Sequence, residues 1–236
     1  MSQVPQHMIV DDAVFKAVRQ ILVQRTGRGL TQEDVRLINA ALALDDPKPE
    51  PVGSSMLTVK VFMELLAHEA IVREMYKDSV GVETWSAGLT AKSGINVRKY
   101  KDNPASMQEC IDAVADRLRQ VYIPRVEQAF KGHTLTEAQF AAALSFDYNT
   151  GAVTRANWVA DWKAGRKDAA YNSIMNWRSP PEIIERRKKE RELFFNGVWS
   201  QDGKTTVYEV NKPSYFPRWS SARRVDVTAE VIKAIG

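Results

Sequence analysis

From Pro104 to Phe195, apolar residues recur at helical spacing in one segment after another, and this commits most of the chain to helix. Met107, Cys110, Ile111, Val114, Leu118, Val121 and Val126 form one long stripe. A bend is predicted near Pro124, whose ring nitrogen has no proton to donate. Leu135 to Phe146 reads as a buried helix, started by Thr134 or Thr136 and ended at Asn149-Thr150-Gly151, where Asn and Gly suit a left-handed cap. Asn157 to Lys163 and Asp168 to Trp177 are two further helices, and Ser179-Pro180-Pro181 restarts the chain into Glu182 to Phe195.

The flanks are organised differently. Asp45 to Ser55 holds three prolines, a glycine and no apolar period, so it reads as a linker and as the best domain boundary. Residues 1–44 before it read as a helical hairpin, with Asp11 to Arg25 and a stripe of Val35, Ile38, Ala41 and Leu42 on either side of Gly27-Arg28-Gly29. Such a hairpin is either a small wall-binding or partner-binding module or packing for the main domain. The main domain is expected over 56–199, and 200–236 is set apart as a C-terminal extension. There an Asp202-Gly203 turn precedes a strand over Thr205 to Val210, and Val225 to Ile235 follows as strand or helix.

Several function classes lose support from what the chain lacks. Its single cysteine, Cys110, forms no internal disulfide, so folding is independent of oxidation. No run of about eighteen apolar residues would span a membrane, and Met1 to Asp12 does not resemble a secretory signal, so synthesis in the cytoplasm is expected. His7, His68 and His133 are scattered without metal-ligand spacing, so neither metal nor cofactor is expected. No phosphate-binding loop, dinucleotide fingerprint or nucleophile elbow is present. A net charge of +4 and a pI near 9.1 favour an acidic partner, such as nucleic acid, anionic lipid or an anionic wall polymer. The basic run from Glu185 to Arg191 is interleaved with glutamates and reads as a charged helix face rather than a nucleic-acid grip.

Between linker and helical run lies the stretch that carries chemistry. A helix starts near Ser55, with Phe62, Leu65, Leu66 and Glu69 on one stripe, so Glu69 falls near its C-terminal end. A carboxyl there loses solvation and feels the negative helix end, and both effects favour the protonated form that a general acid needs. By position alone, Glu69 is an ordinary helix-edge residue reaching water. From Asp78 to Asn103 the helical period stops. Gly81, Gly88 and Gly94 punctuate β-prone pieces around Val82, Thr84-Trp85 and Ile95 to Val97, as in a small antiparallel sheet.

Glu69, Asp78 and Thr84, with Tyr76-Lys77-Asp78 and Gly81 between them, resemble the active-site signature of phage-type lysozymes, glycoside hydrolase family 24. Phe146-Asp-Tyr-Asn149-Thr-Gly151 is similar to that family's Phe-x-x-Asn-x-Gly segment, and Arg186-Arg187 through Trp199 is similar to its basic closing helix. The resemblance departs after Thr84, where the family's Gly-x-Gly-His is replaced by Ser86-Ala87-Gly88-Leu89.

The resemblance implies an α+β, mostly helical lysozyme-like fold, with a small β-hairpin lobe and a larger helical lobe around a cleft. It implies a muramidase that hydrolyses the β-1,4 bond between N-acetylmuramic acid and N-acetylglucosamine in peptidoglycan, with inverting stereochemistry. Glu69 would be the acid, Asp78 the stabilising or water-activating carboxylate, and Thr84 the holder of that water. Gly88, Phe146, Asn149 and Arg186 would bind substrate or support the site, with Arg187 a near rival to Arg186 and Phe146 and Asn149 equally readable as core and cap. A monomeric phage or prophage endolysin follows, stored in the cytoplasm until a holin gives it access to the wall, without membrane insertion. The alternatives are a lytic transglycosylase, and a wall-binding or virion structural protein of the same fold.

Overall fold

The computed structural model describes residues 56–236. The hairpin expected within residues 1–44 and the linker at 45–55 lie outside the described residues. Helix α1 spans Val59–His68. It begins at Val59 rather than near Ser55 because Thr58 is its N-cap, with Thr58 Oγ1 accepting from the Val61 amide at 3.2 Å. Val61, Phe62, Leu65 and Leu66 are fully buried and turn α1 into the core.

The helix ends where its periodicity places Glu69, near its C-terminus. Glu69 is the C-cap, with extended backbone (φ −108°, ψ 148°), and strand β1 (Ala70–Lys77) follows over residues where no strand was expected. The β-branched pair Ile71-Val72 favours the strand. Both residues are buried, on opposite faces of a strand, and a short apolar run of that kind cannot be told from buried helix by spacing.

β1 pairs antiparallel with β2 (Glu83–Ser86), and β2 with β3 (Leu89–Thr90). The β1–β2 register runs from Val72↔Ser86 to Tyr76↔Thr84, so four steps on β1 face two on β2, and β1 bends at this bulge. Strand β4 (Lys204–Val210) lies parallel to β1 on its other edge, and β5 (Pro217–Asp226) is antiparallel to β4, which gives the order β3-β2-β1-β4-β5. The strand expected at Ile95 to Val97 is absent. That segment holds short 3-10 turns at Ala91–Ser93 and Val97–Tyr100, and Tyr100 stacks on Trp85 at 3.8 Å.

The helical lobe follows the sequence closely. It consists of α2 (Met107–Arg117), α3 (Ile123–Ala129), α4 (Glu137–Thr150), α5 (Asn157–Lys163), α6 (Lys167–Ser173) and α7 (Ile184–Asn196). Between α2 and α3 the ladder loosens into a π-turn over Leu118–Tyr122, just before Pro124 in the first turn of α3. Helix α4 is central, with Phe140 to Asp147 all buried. Its Thr136/Gln139 capping box and its left-handed Gly151 (φ 60°) mark the predicted ends.

The C-terminal residues build into the same body. Val207 of β4, and Val227 and Val231 at helix α8 (Thr228–Ile235), join the core. Of the two readings of Val225 to Ile235, the helix holds over Thr228–Ile235. β5 is unforeseen in the sequence: apart from Pro217 its side chains are exposed or half-exposed, so it shows no apolar alternation. No helix among the described residues is long and apolar enough to cross a membrane.

Candidate active site

The site forms where α1 turns into β1. A helix C-terminus leaves its last carbonyls without intrahelical partners, and the chain must become extended at Glu69 to enter the sheet. Arg186, on α7, reaches across to pair its Nη1 with Glu69 Oε1, and the two side chains are 11% and 19% exposed. Arg186 is fixed in turn by three further contacts. Its Nε donates to Glu190 Oε1 at 2.9 Å, and its Nη2 to the Ser145 carbonyl and hydroxyl at 3.0 and 3.2 Å. Burial alone would ease the proton off this guanidinium, but the carboxylates of Glu69 and Glu190 outweigh that and hold its pKa above the usual arginine value.

Arg187, the near rival in the sequence, faces the other way. It is fully buried, pairs with Glu190 Oε2, and donates to the Trp177 carbonyl at 2.8 Å and to Asn149 Oδ1 at 2.7 Å. Burial, more than any neighbour, pulls its pKa down. Glu190 therefore stands between two guanidinium groups and also accepts from Ser145 Oγ at 2.7 Å.

The second carboxylate sits at the far end of β1. Asp78 Oδ1 accepts from the amides of Val80 and Val82 at 3.0 and 2.8 Å, a tight turn that Gly81 closes with φ 85°. Thr84 is buried on β2, directly opposite Tyr76, and its hydroxyl donates to the Val82 carbonyl at 2.9 Å. Asp78 and Thr84 thus hold the same turn residue, Val82, by its amide and its carbonyl.

Tyr76 joins the two ends. Burial raises the pKa of its phenol, and the charges of Glu69 and Asp78 raise it further, while a hydrogen bond from the Gly88 backbone opposes them. Tyr148, on α4, donates to the Ala87 carbonyl at 2.6 Å, and burial, then Glu69, push its pKa up. The Tyr76 phenol thus feels both carboxylates and takes a hydrogen bond from the Gly88 turn, and Tyr148 ties that turn to the helical lobe. Neither tyrosine was singled out by sequence reasoning. Tyr76 falls inside the matched signature and Tyr148 inside the Phe146–Gly151 segment, so membership of those segments was the only available signal.

The supporting residues divide. Arg186 and Gly88 (φ 89°) stand at the site. Phe146 is fully buried beneath it, edge-on to Trp158 and Trp177 with Arg187 over its ring, so of its two readings the core one describes its place. Asn149 is exposed and acts on Arg187. In the segment that departs from the family pattern, Leu89 is buried in the core and Ser86 is buried in a left-handed conformation (φ 54°), its hydroxyl donating to the Cys110 carbonyl at 3.0 Å. A cavity of about 350 Å³, lined by Met56, Val126, Phe130, His133 and Leu135 among others, contains none of these residues.

This mostly helical domain with a small mixed sheet has a lysozyme-like fold. The phage lysozyme family model matches residues 66–190, more than half of the 236-residue chain, and the chain belongs to that family. An endolysin from Escherichia coli O157:H7 phage FAHEc1 is structurally similar with a TM-score of 0.51 at 19% identity, over 61% of this chain and 96% of that one. The muramidase domain of SpmX from Asticaccaulis excentricus aligns with a TM-score of 0.49 at 18% identity, over 59% and 97% of the two chains. At such identity the endolysin's likeness speaks for the fold alone. No curated protein matches the chain significantly.

Proposed function

We propose that the chain is a phage-type endolysin that hydrolyses the β-1,4 bond between N-acetylmuramic acid and N-acetylglucosamine in peptidoglycan. The observation that carries this reading is the Glu69–Arg186 contact at the α1–β1 junction, with Asp78 held by the Val80 and Val82 amides in the turn that follows β1. Glu69 acts as the general acid and protonates the leaving glycosidic oxygen as the bond to C1 breaks. In doing so it becomes anionic, and the Arg186 cation stabilises that charge as it develops, so the contact strengthens toward the transition state.

A water molecule adds to C1 from the opposite face. The two backbone bonds to Asp78 both fall on Oδ1, which leaves Oδ2 to take the water's proton. The Thr84 hydroxyl has committed its own proton to Val82, so toward water it is an acceptor. Acceptors at both Asp78 and Thr84 orient the water's hydrogens away from the sugar and its lone pair toward C1. Single displacement from the far face inverts the anomeric centre, and carboxyl groups about 6.5–9.5 Å apart leave room for that water. Peptidoglycan glycan strands are the substrate, and a monomer acts on them. By family resemblance, a holin provides the route from the cytoplasm to the wall.

Digesting purified peptidoglycan with the wild type and with Glu69→Gln, followed by mass spectrometry of the products, tests this reading. Reducing muramic ends from the wild type, and loss of activity in the variant, are the expected results. Anhydro ends would identify a transglycosylase, and clearing by Glu69→Gln equal to the wild type would remove Glu69 from its role. Proton NMR of the fresh product should show the α anomer first.

A further inference from the structure

The family match ends at residue 190, yet the residue that completes the backbone environment of Glu69 lies beyond it. Thr205 is fully buried at the start of β4, and its hydroxyl donates to the Glu69 main-chain carbonyl at 2.8 Å. That carbonyl belongs to a helix C-cap, which has no helical partner to offer it. The parallel β1–β4 ladder begins one residue further on, with Ala70↔Thr206, Ile71↔Val207 and Val72↔Tyr208. Glu69 is thus gripped twice, by Arg186 at its carboxyl and by Thr205 at its carbonyl.

The approach to β4 is fixed as firmly. Glu64, a fully buried carboxylate on α1, accepts from the Ser200 amide at 3.0 Å, the Ser200 hydroxyl at 2.6 Å and the Gln201 amide at 3.0 Å. His68, one turn further along α1, contacts both Glu64 and Ser200 at 3.3 Å. The C-terminal segment is therefore clasped to α1 just before the junction and hydrogen-bonded to β1 just after it. Only Glu69 lies between those two attachments.

We propose that Thr205 is a positioning residue for Glu69, and that the segment from Ser200 to Val210 is a working part of the catalytic centre rather than an appendage to it. This rests on the assignment of Glu69 as the acid. The direction of the Glu69 side chain follows from its φ and ψ, which the helix alone cannot set because Glu69 is outside it. The Thr205 bond and the ladder behind it fix the peptide plane that follows Glu69, and with it the path of the carboxyl toward the glycosidic oxygen. An error of about 1 Å in placing a catalytic group costs on the order of 10²-fold in rate, so even partial release should be visible in turnover.

The test uses the full chain and measures kcat and KM on soluble glycan fragments at a temperature where every variant is folded. Thr205→Val removes the hydroxyl while keeping shape and β-branching. It should lower kcat by about 10-fold or more with KM changed less than about 3-fold, and should displace the kcat–pH profile. Thr205→Ser should restore kcat to within about 3-fold of wild type. Val231→Ala empties a buried site on α8, outside the Ser200–Val210 segment and its ladder, so it should lower Tm but spare kcat. If Thr205→Val does not fold, Ser200→Ala loosens the clasp instead and should lower kcat more than Val231→Ala does. Wild-type kcat in Thr205→Val, or equal kcat losses in Thr205→Val and Val231→Ala, would overturn the inference. Full activity in Glu69→Gln, run alongside, would overturn the underlying assignment instead.

Discussion

Glu190 offers the sharpest test of how the site is held. Its carboxylate is fully buried and is shared among Arg186 Nε, Arg187 Nη1 and Ser145 Oγ. Glu190→Gln keeps the shape but removes the charge, which leaves Arg186 with Glu69 alone and the buried Arg187 with only neutral acceptors. Breaking a buried ion pair from one side costs about 3–5 kcal/mol, because the remaining charge stays desolvated. In a domain of this size each kcal/mol moves Tm by about 2–4 °C, so a fall of roughly 6–20 °C is expected. Urea unfolding followed by circular dichroism should give the same loss with an unchanged m-value. Replacing the pair together, as Arg187→Met/Glu190→Leu, should cost less than Glu190→Gln, since an apolar pair leaves one fewer buried charge unmatched. Arg186 keeps its bonds to Ser145 in these variants, so activity below Tm should fall less steeply than stability. A loss under about 1 kcal/mol for Glu190→Gln, or a double variant worse than the single, would refute the reasoning.

Three further outcomes follow from the same contacts. Burial pushes Glu64 toward its neutral form, but hydrogen bonds from His68 and Ser200 and the charge of His68 hold its pKa below the usual glutamate value. A depressed folded-state pKa stabilises above the unfolded value of about 4.3 and is lost as pH falls through the folded one. The β4 amides should therefore be less protected, relative to their intrinsic exchange rates, at pH 3 than at pH 6, with a smaller pH effect in Ser200→Ala; equal protection at both pH values would count against the clasp. Ser86→Ala should destabilise by about 1 kcal/mol, because it loses the bond to Cys110 and keeps the strained backbone, whereas Ser86→Gly should stay within about 1 kcal/mol of wild type. Thermal unfolding of the pair checks the difference. Trp85→Ala removes a buried ring stacked on Tyr100, together with its bond to the Arg73 carbonyl, and should cost about 3–5 kcal/mol by chemical denaturation.

Legibility in this chain tracks how local each determinant is. Thr136, Gln139 and Gly151 mark the ends of α4 through contacts within a few residues, so the helix could be bounded from sequence. The choice between Arg186 and Arg187 could not be made that way. Adjacent helical residues point about 100° apart, and only the packing of α7 against α4 decides that Arg186 meets Glu69 while Arg187 turns inward to Asn149. β1 was hidden for a related reason, since buried Ile71 and Val72 are adjacent, as are Arg73 and Glu74, so the strand shows no polar alternation. β5 was hidden for the opposite one, as an edge strand with almost nothing buried.

The departure at Ser86 and Leu89 shows where a motif comparison misplaces the stress. At the place of the family's histidine the chain has Leu89. In the structure Leu89 fills the core, so the polar group that would have needed a partner is replaced by one that needs none. The strain sits three residues earlier, at Ser86, where a side chain occupies a backbone conformation that glycine adopts freely. The Ser86 hydroxyl offsets part of that cost by bonding to Cys110 on α2, so the β-hairpin lobe is tied to the helical lobe through the substituted residue itself. Gly88, the glycine that is kept, is the one whose amide faces Tyr76 and so the carboxylates. The pattern is conceded where a side chain can be anchored and held where the backbone must approach the site.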